Sequence, residues 1–275
     1  MRRTDLILSS MLAAGIGLSS AFCAGAAVIH DLTAVGSQVT INGAIFFVPP
    51  SSSATGTGVI RSFVRIGSNA DTKQGYNTSD RPLQFDENNA PPFTRDLLLS
   101  ELPIVTTGGT QYYEFILDIN QVAADPLLSL NRVIIFSGVD QVTDGSSFLS
   151  ASLTSSSATL GTLSPIYSLD SGEQDNTIKL DYSNYGGSGD NLDMIMLVPV
   201  SLFGAGPNVY LYSYFGDPDN ANDGFEEWAV RKRGAPACPP NDPNCSFIPS
   251  IAEPGTFALL GLGLVGLAAA RRRAR

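Results

Sequence analysis

The segment GDPDNANDGFEEW, residues 216–228, concentrates the side chains best suited to chemistry. Asp217, Asp219, Asn222, Asp223, Glu226 and Glu227 place six hard oxygen donors within eleven residues, the kind of ligand calcium takes. Asp217, Asp219, Asn222 and Asp223 are the candidate ligand set. The spacing departs from an EF-hand loop, which needs glycine at its sixth position and an acid at its twelfth. Counted from Asp217, those positions hold Asn222 and Trp228. An acidic turn between two strands accounts for the same residues without a metal, so calcium is the one cofactor that the sequence leaves open.

Catalytic sets are harder to assemble. His30 is the only histidine, so neither a Ser-His-Asp triad nor a zinc site with several nitrogen ligands forms around it. Glycoside hydrolysis needs two carboxyl groups facing across a sugar. Glu226 with Glu227, Asp190 with Asp193, and Glu114 with Asp118 are available pairs, but among 26 acidic residues such pairs arise by chance. Neighbouring acids on a strand also point to opposite faces. The expectation is a body that is not an enzyme. Tyr210, Tyr212 and Tyr214 share one strand face at a spacing of two. They suit either a sugar-stacking surface or, more commonly, the border of a core. Trp228 reads as a buried plug.

These residues must be held by a turn-rich scaffold. Only 15% of the chain is charged against 43% hydrophobic, and it has 27 glycines and 17 prolines, a balance that suggests an exported all-β domain. Runs rich in β-branched and aromatic residues predict strands at 39–48, 59–66, 112–119, 132–136, 177–182, 194–198 and 209–215. Clusters such as SNYGGSGDN and GDPDNANDG separate them. A short helix is expected over 96–102, and a turn or short strand over 225–230. No strand–helix alternation and no solenoid repeat is present. The simplest architecture is an antiparallel β-sandwich of jelly-roll type with Greek-key connections.

Charge is unevenly placed. The formal net charge is −10, and residues 27–255 carry ten basic against 25 acidic side chains. Such a body repels nucleic acid. Six of the 16 basic residues lie at the two ends. At the front, MRRTD precedes the apolar LILSSMLAAGIGLSSAF and the small residues Ala24, Gly25 and Ala26, the pattern of a secretory signal peptide. Signal peptidase is expected to cut after Ala26. The residue before Cys23 is Phe22, where a lipoprotein signal has a small residue.

At the back, AEPGTFALLGLGLVGLAAARRRAR has three parts: a turn at Ala252, Glu253, Pro254 and Gly255, an apolar run over 257–270, and a basic stop from Arg271. A helix of that length reaches about 21 Å, short for a bilayer core of about 30 Å. Gly255, Thr256 and the aliphatic stems of the arginines extend it to a marginal span. The arginines would hold its far end in the cytoplasm. Gly261, Gly263 and Gly266 disfavour a soluble core helix.

This order of turn, apolar helix and arginine cluster resembles the PEP-CTERM sorting signal of Gram-negative bacteria. Glu253, Pro254, the apolar run and Arg271, Arg272 and Arg273 carry the resemblance, with Ala252 standing where the family has its first proline. The resemblance implies recognition by exosortase, a transient inner-membrane anchor, then delivery to the cell surface, outer envelope or extracellular matrix, with exopolysaccharide as a partner. The body is also similar to an uncharacterised group of PEP-CTERM ectodomains. FILDINQ with LLSLNRVIIF, NTIKLDY with SGDNLDMIMLVPVSLF, and VYLYSYFG with DGFEEWAV carry that similarity over residues 111–230.

The expected organisation is therefore a signal peptide at 1–26, a β-sandwich at 27–233, a proline-rich linker at 234–251 and a sorting and transmembrane segment at 252–275. Cys238 and Cys245 are the two cysteines left after cleavage. In an exported chain they read as one disulfide closing a short loop.

Overall fold

The computed structural model describes residues 27–50, 60–142, 158–171, 174–185, 192–232 and 246–247. Fifteen strands run in chain order: β1 Ala27–Asp31, β2 Gln38–Ile41, β3 Ala44–Phe47, β4 Ile60–Ile66, β5 Lys73–Tyr76, β6 Leu97–Leu98, β7 Ile104–Thr107, β8 Thr110–Asp118, β9 Leu127–Gly138, β10 Pro165–Ser168, β11 Asp175–Asp181, β12 Met194–Pro199, β13 Asn208–Phe215, β14 Glu226–Arg231 and β15 Ser246–Phe247. Among the described residues there is no α-helix, only three 3-10 turns. No described helix is long and apolar enough to cross a membrane. The transmembrane helix expected over 252–275, the signal peptide and Cys238 and Cys245 lie outside the described residues.

The strands form two sheets. The first runs β1-β11-β9-β13-β5, with β10 also on β9 and β6 also on β13. The second runs β15-β7-β8-β12-β3-β2, and β14 joins β8 to β4. Alternation explains how they stack. Phe115 and Leu117 of β8 and Met194 and Met196 of β12 turn inward to the same core as Val133 and Ile135 of β9 and Val209 and Leu211 of β13. Trp228 is fully buried between the sheets, and its indole N–H donates to Ser213 Oγ at 3.0 Å. The all-β sandwich expected from the sequence is thus present.

Several expectations change in detail. The single strand expected over 39–48 is a hairpin, β2 and β3. Asn42 and Gly43 both take positive φ, 49° and 85°, the two-residue turn that suits the twist of paired strands. The helix expected over 96–102 is β6 followed by a 3-10 turn at Leu99–Glu101. The sandwich is not wholly antiparallel, because β1 runs parallel to β11. Within the linker range, β15 pairs with β7. As a check on the cysteines, thiol reagents should label neither Cys238 nor Cys245 in denatured, non-reduced protein, and label both after reduction.

Candidate functional site

The acidic segment leaves β13 through Gly216, whose φ of 108° and approach to the Asp71 carbonyl leave no room for a side chain. Its side chains then diverge. The Asp217 backbone is clamped by Asn131, which accepts the Asp217 N–H at 3.1 Å and donates to its carbonyl. Asp219 accepts the Ser129 hydroxyl at 2.9 Å and pairs with Lys179 at 3.1 Å. Asn222 accepts the Val122 N–H and donates to the Asp125 carbonyl, both at 2.8 Å. Asp223 accepts the Gly224 N–H at 2.8 Å. Among the described residues, no group of three or more His, Cys, Asp or Glu side chains is placed to hold a metal ion.

The cation at this place is the chain's own. The Lys73 ammonium, at the start of β5, is fully buried. It donates to the carbonyls of Asp223 at 2.7 Å and Gly224 at 3.1 Å, and to Glu226 Oε1 at 3.4 Å. Two carbonyls and a carboxylate are also a set that calcium would use. Glu226 further accepts the Gln121 amide at 2.8 Å and the Asn120 N–H at 3.1 Å. Burial pushes its carboxyl up to about 8 in spite of the lysine beside it. Asp193 sits close by, with Oδ2 accepting the Ile119 N–H at 2.9 Å and the Asp118 side chain against it. Burial raises Asp193 to about 7. Two buried carboxyls therefore hold the successive amides of Ile119 and Asn120 where β8 ends.

The other acid pairs do not converge. Glu227 turns away from Glu226, to Ser62 and Arg65. The Arg65 guanidinium lies 3.6 Å from the ring centre of Phe93 and 5.5 Å from that of Phe225. Glu114 is tied to Arg231 at 2.8 and 3.3 Å, both buried, rather than facing Asp118. Asp190 lies outside the described residues. His30 meets Asn176 Oδ1 at 3.0 Å.

The tyrosine stripe is not an open stacking face. Tyr210 and Tyr212 are fully buried, packed with Tyr76, Phe136, Val142 and Leu160 on the outer side of the first sheet. The Tyr210 hydroxyl accepts the Val142 N–H, and the Tyr212 hydroxyl donates to Gln74, both at 2.8 Å. An open groove of about 260 Å³ lies elsewhere, lined by Asn42, Tyr167, Ser168, Asp170, Ser171 and Leu202 among others. It contains none of the candidate residues, and Asn42 spends its amide on Ser168, Leu169 and Ser171.

Lys73 and Arg231 are the residues that sequence reasoning passes over. Lys73 stands in DTKQGYN, which has no apolar alternation to mark a buried position. Arg231 reads as the first of three basic residues entering a linker.

Among the described residues, Asp219, Asn222, Asp223, Glu114, Glu226 and Glu227 are thus each held by partners within the chain. Residues 251–273 match the PEP-CTERM protein-sorting motif. The match takes in Ala252, Glu253, Pro254, the apolar run, Arg271, Arg272 and Arg273. A PEP-CTERM signal marks a protein for exosortase-type processing and export to the cell envelope or surface. No curated protein and no solved structure matched the chain.

Proposed function

We propose that this chain is a non-enzymatic protein of the cell surface or extracellular matrix that associates with exopolysaccharide in a biofilm. The sorting motif at 251–273 is the observation that carries this reading. Signal peptidase opens the export route by cutting after Ala26. The apolar run 257–270 then anchors the chain in the inner membrane with its arginines in the cytoplasm, until exosortase releases the body. The body works without a resident cofactor. Its carboxylates support this, since Glu114, Glu226 and Glu227 each serve an internal cation. The chain also passes from sheet to sheet between β11, β12, β13 and β14, which supports a connectivity of jelly-roll type.

Removing residues 252–275 is expected to leave the melting temperature of the body unchanged while most of it leaves the envelope fraction. Mass spectrometry of both termini, with subcellular fractionation, reads the result. A truncated protein that unfolds would make the tail part of the core. A full-length protein that keeps Met1 or Arg275 after export would remove the processing scheme. Loss of retention on exopolysaccharide gel would remove the polymer association alone.

A further inference from the structure

Among the described residues, the strand that begins the body is an uncovered sheet edge. β1 ends the first sheet and, among the described residues, pairs only with β11. Val28 and Ile29 are 38% and 55% exposed, and as neighbours on a strand they make both faces of the edge apolar. Sheet edges are normally guarded by lysine, proline, a bulge or a covering element. The sequence AVIHD holds no lysine or proline and no acid before Asp31.

The backbone phase of the edge is set by its neighbour. Leu32 donates its N–H to the Lys179 carbonyl at 2.9 Å. Alternate residues of a strand turn their backbone groups to opposite sides. Val28 and His30 therefore follow Leu32 toward β11, while Ala27, Ile29 and Asp31 turn N–H and C=O outward.

We propose that this edge pairs with the same edge of a second copy, antiparallel about a two-fold axis through Ile29, joining two first sheets into one. In that register Ile29 meets its own symmetry mate and position 27 meets position 31. All three outward residues fall at hydrogen-bonded positions of the ladder, and their side chains share one face. Cleavage after Ala26 places an α-ammonium on residue 27, opposite the Asp31 carboxylate of the other copy. That carboxylate keeps its charge, because the Thr33 hydroxyl at 2.6 Å and the Thr33 N–H at 2.9 Å hold it below the usual range. The strand has an apolar centre with opposite charges at its two ends, so its antiparallel complement is itself. A second copy fits it better than an unrelated peptide, and the precursor, lacking the ammonium, pairs less well. The interface is small, so association is weak in dilute solution and gains from crowding on a surface.

Sedimentation equilibrium over rising concentration of the processed protein, isolated from cells making the full chain, tests this. The expected result is a reversible monomer–dimer equilibrium. Ile29→Lys should weaken it by about tenfold or more. Ile29→Pro should do the same, because proline there deletes an outward N–H and spares the pairing to β11. Val139→Lys, at another exposed apolar position, 73%, should leave the equilibrium unchanged. Circular dichroism of each variant separates loss of pairing from loss of fold. A monomer at every concentration, or a dimer that persists in folded Ile29→Lys, overturns the proposal.

Discussion

Lys73→Met is expected to lower unfolding free energy by about 2–4 kcal/mol near pH 9, the cost of leaving two buried carbonyls without their donor and of putting a proton on Glu226 once its cation is gone. The ammonium does two jobs at once. It faces Glu226, whose side chain is fully buried, and it is the donor for the Asp223 and Gly224 carbonyls. Methionine keeps the length of the side chain and removes both. Near pH 5 Glu226 carries its own proton, so the loss shrinks to what the two carbonyls forfeit, about 1–3 kcal/mol. Adding Glu226→Leu should recover much of the loss near pH 9, since a buried ion pair exchanged for apolar side chains is often close to neutral. Urea unfolding of the four proteins at both pH values measures the cycle. A single variant that loses less than about 1 kcal/mol near pH 9 would show that the lysine is not what holds the loop.

Stability should also fall as pH rises from mildly acid to alkaline, by several kcal/mol between about pH 5 and pH 9. The sign follows from the two buried carboxyls. Asp193 is raised to about 7 from 3.8, and Glu226 to about 8 from 4.5. Between the unfolded and folded values the native state binds more protons than the unfolded chain. Their contribution is therefore complete below about pH 4 and is lost as pH climbs through 7 and 8. Burial raises Glu87, Glu114 and Asp170 in the same direction. Asp31 and Glu101, which are lowered, act oppositely, and only as pH falls below the ordinary carboxylate range. Thermal melting across this range should show the trend, and Asp193→Asn with Glu226→Gln should flatten it. A wild-type midpoint that climbs steadily from pH 5 to pH 9 would contradict the assignment.

Most of the fold was legible before the structure because strands announce themselves locally. Residues 209–215 alternate Val209, Leu211 and Ser213 toward the core with Tyr210 and Tyr212 on the other face, and that period is a property of the strand alone. The break within 39–48 was equally present, in the Asn42-Gly43 pair. What the strand pattern does not carry is pairing. The parallel placement of β1 and the return of the chain at β15 onto β7 depend on partners about 140 residues away. The acidic segment shows the same division. Its composition reads as a ligand set, but whether its carboxylates converge depends on Ser129, Lys179 and Asn131, which alternation cannot place beside it.

The sequence by itself determined how the chain is addressed. A sorting signal is a linear arrangement of turn, apolar run and arginines, read by a membrane and an enzyme along the chain, so residue order carries the information. Tertiary structure alone decided how the body's charges are spent. Lys73 meets Glu226 across 153 positions, and Arg231 meets Glu114 across 117. Burial then separates Glu226 and Asp193 from the solvated acids whose letters they share. A carboxyl group takes its proton affinity from the water it has lost and the donors it has gained, and only the folded chain brings those together.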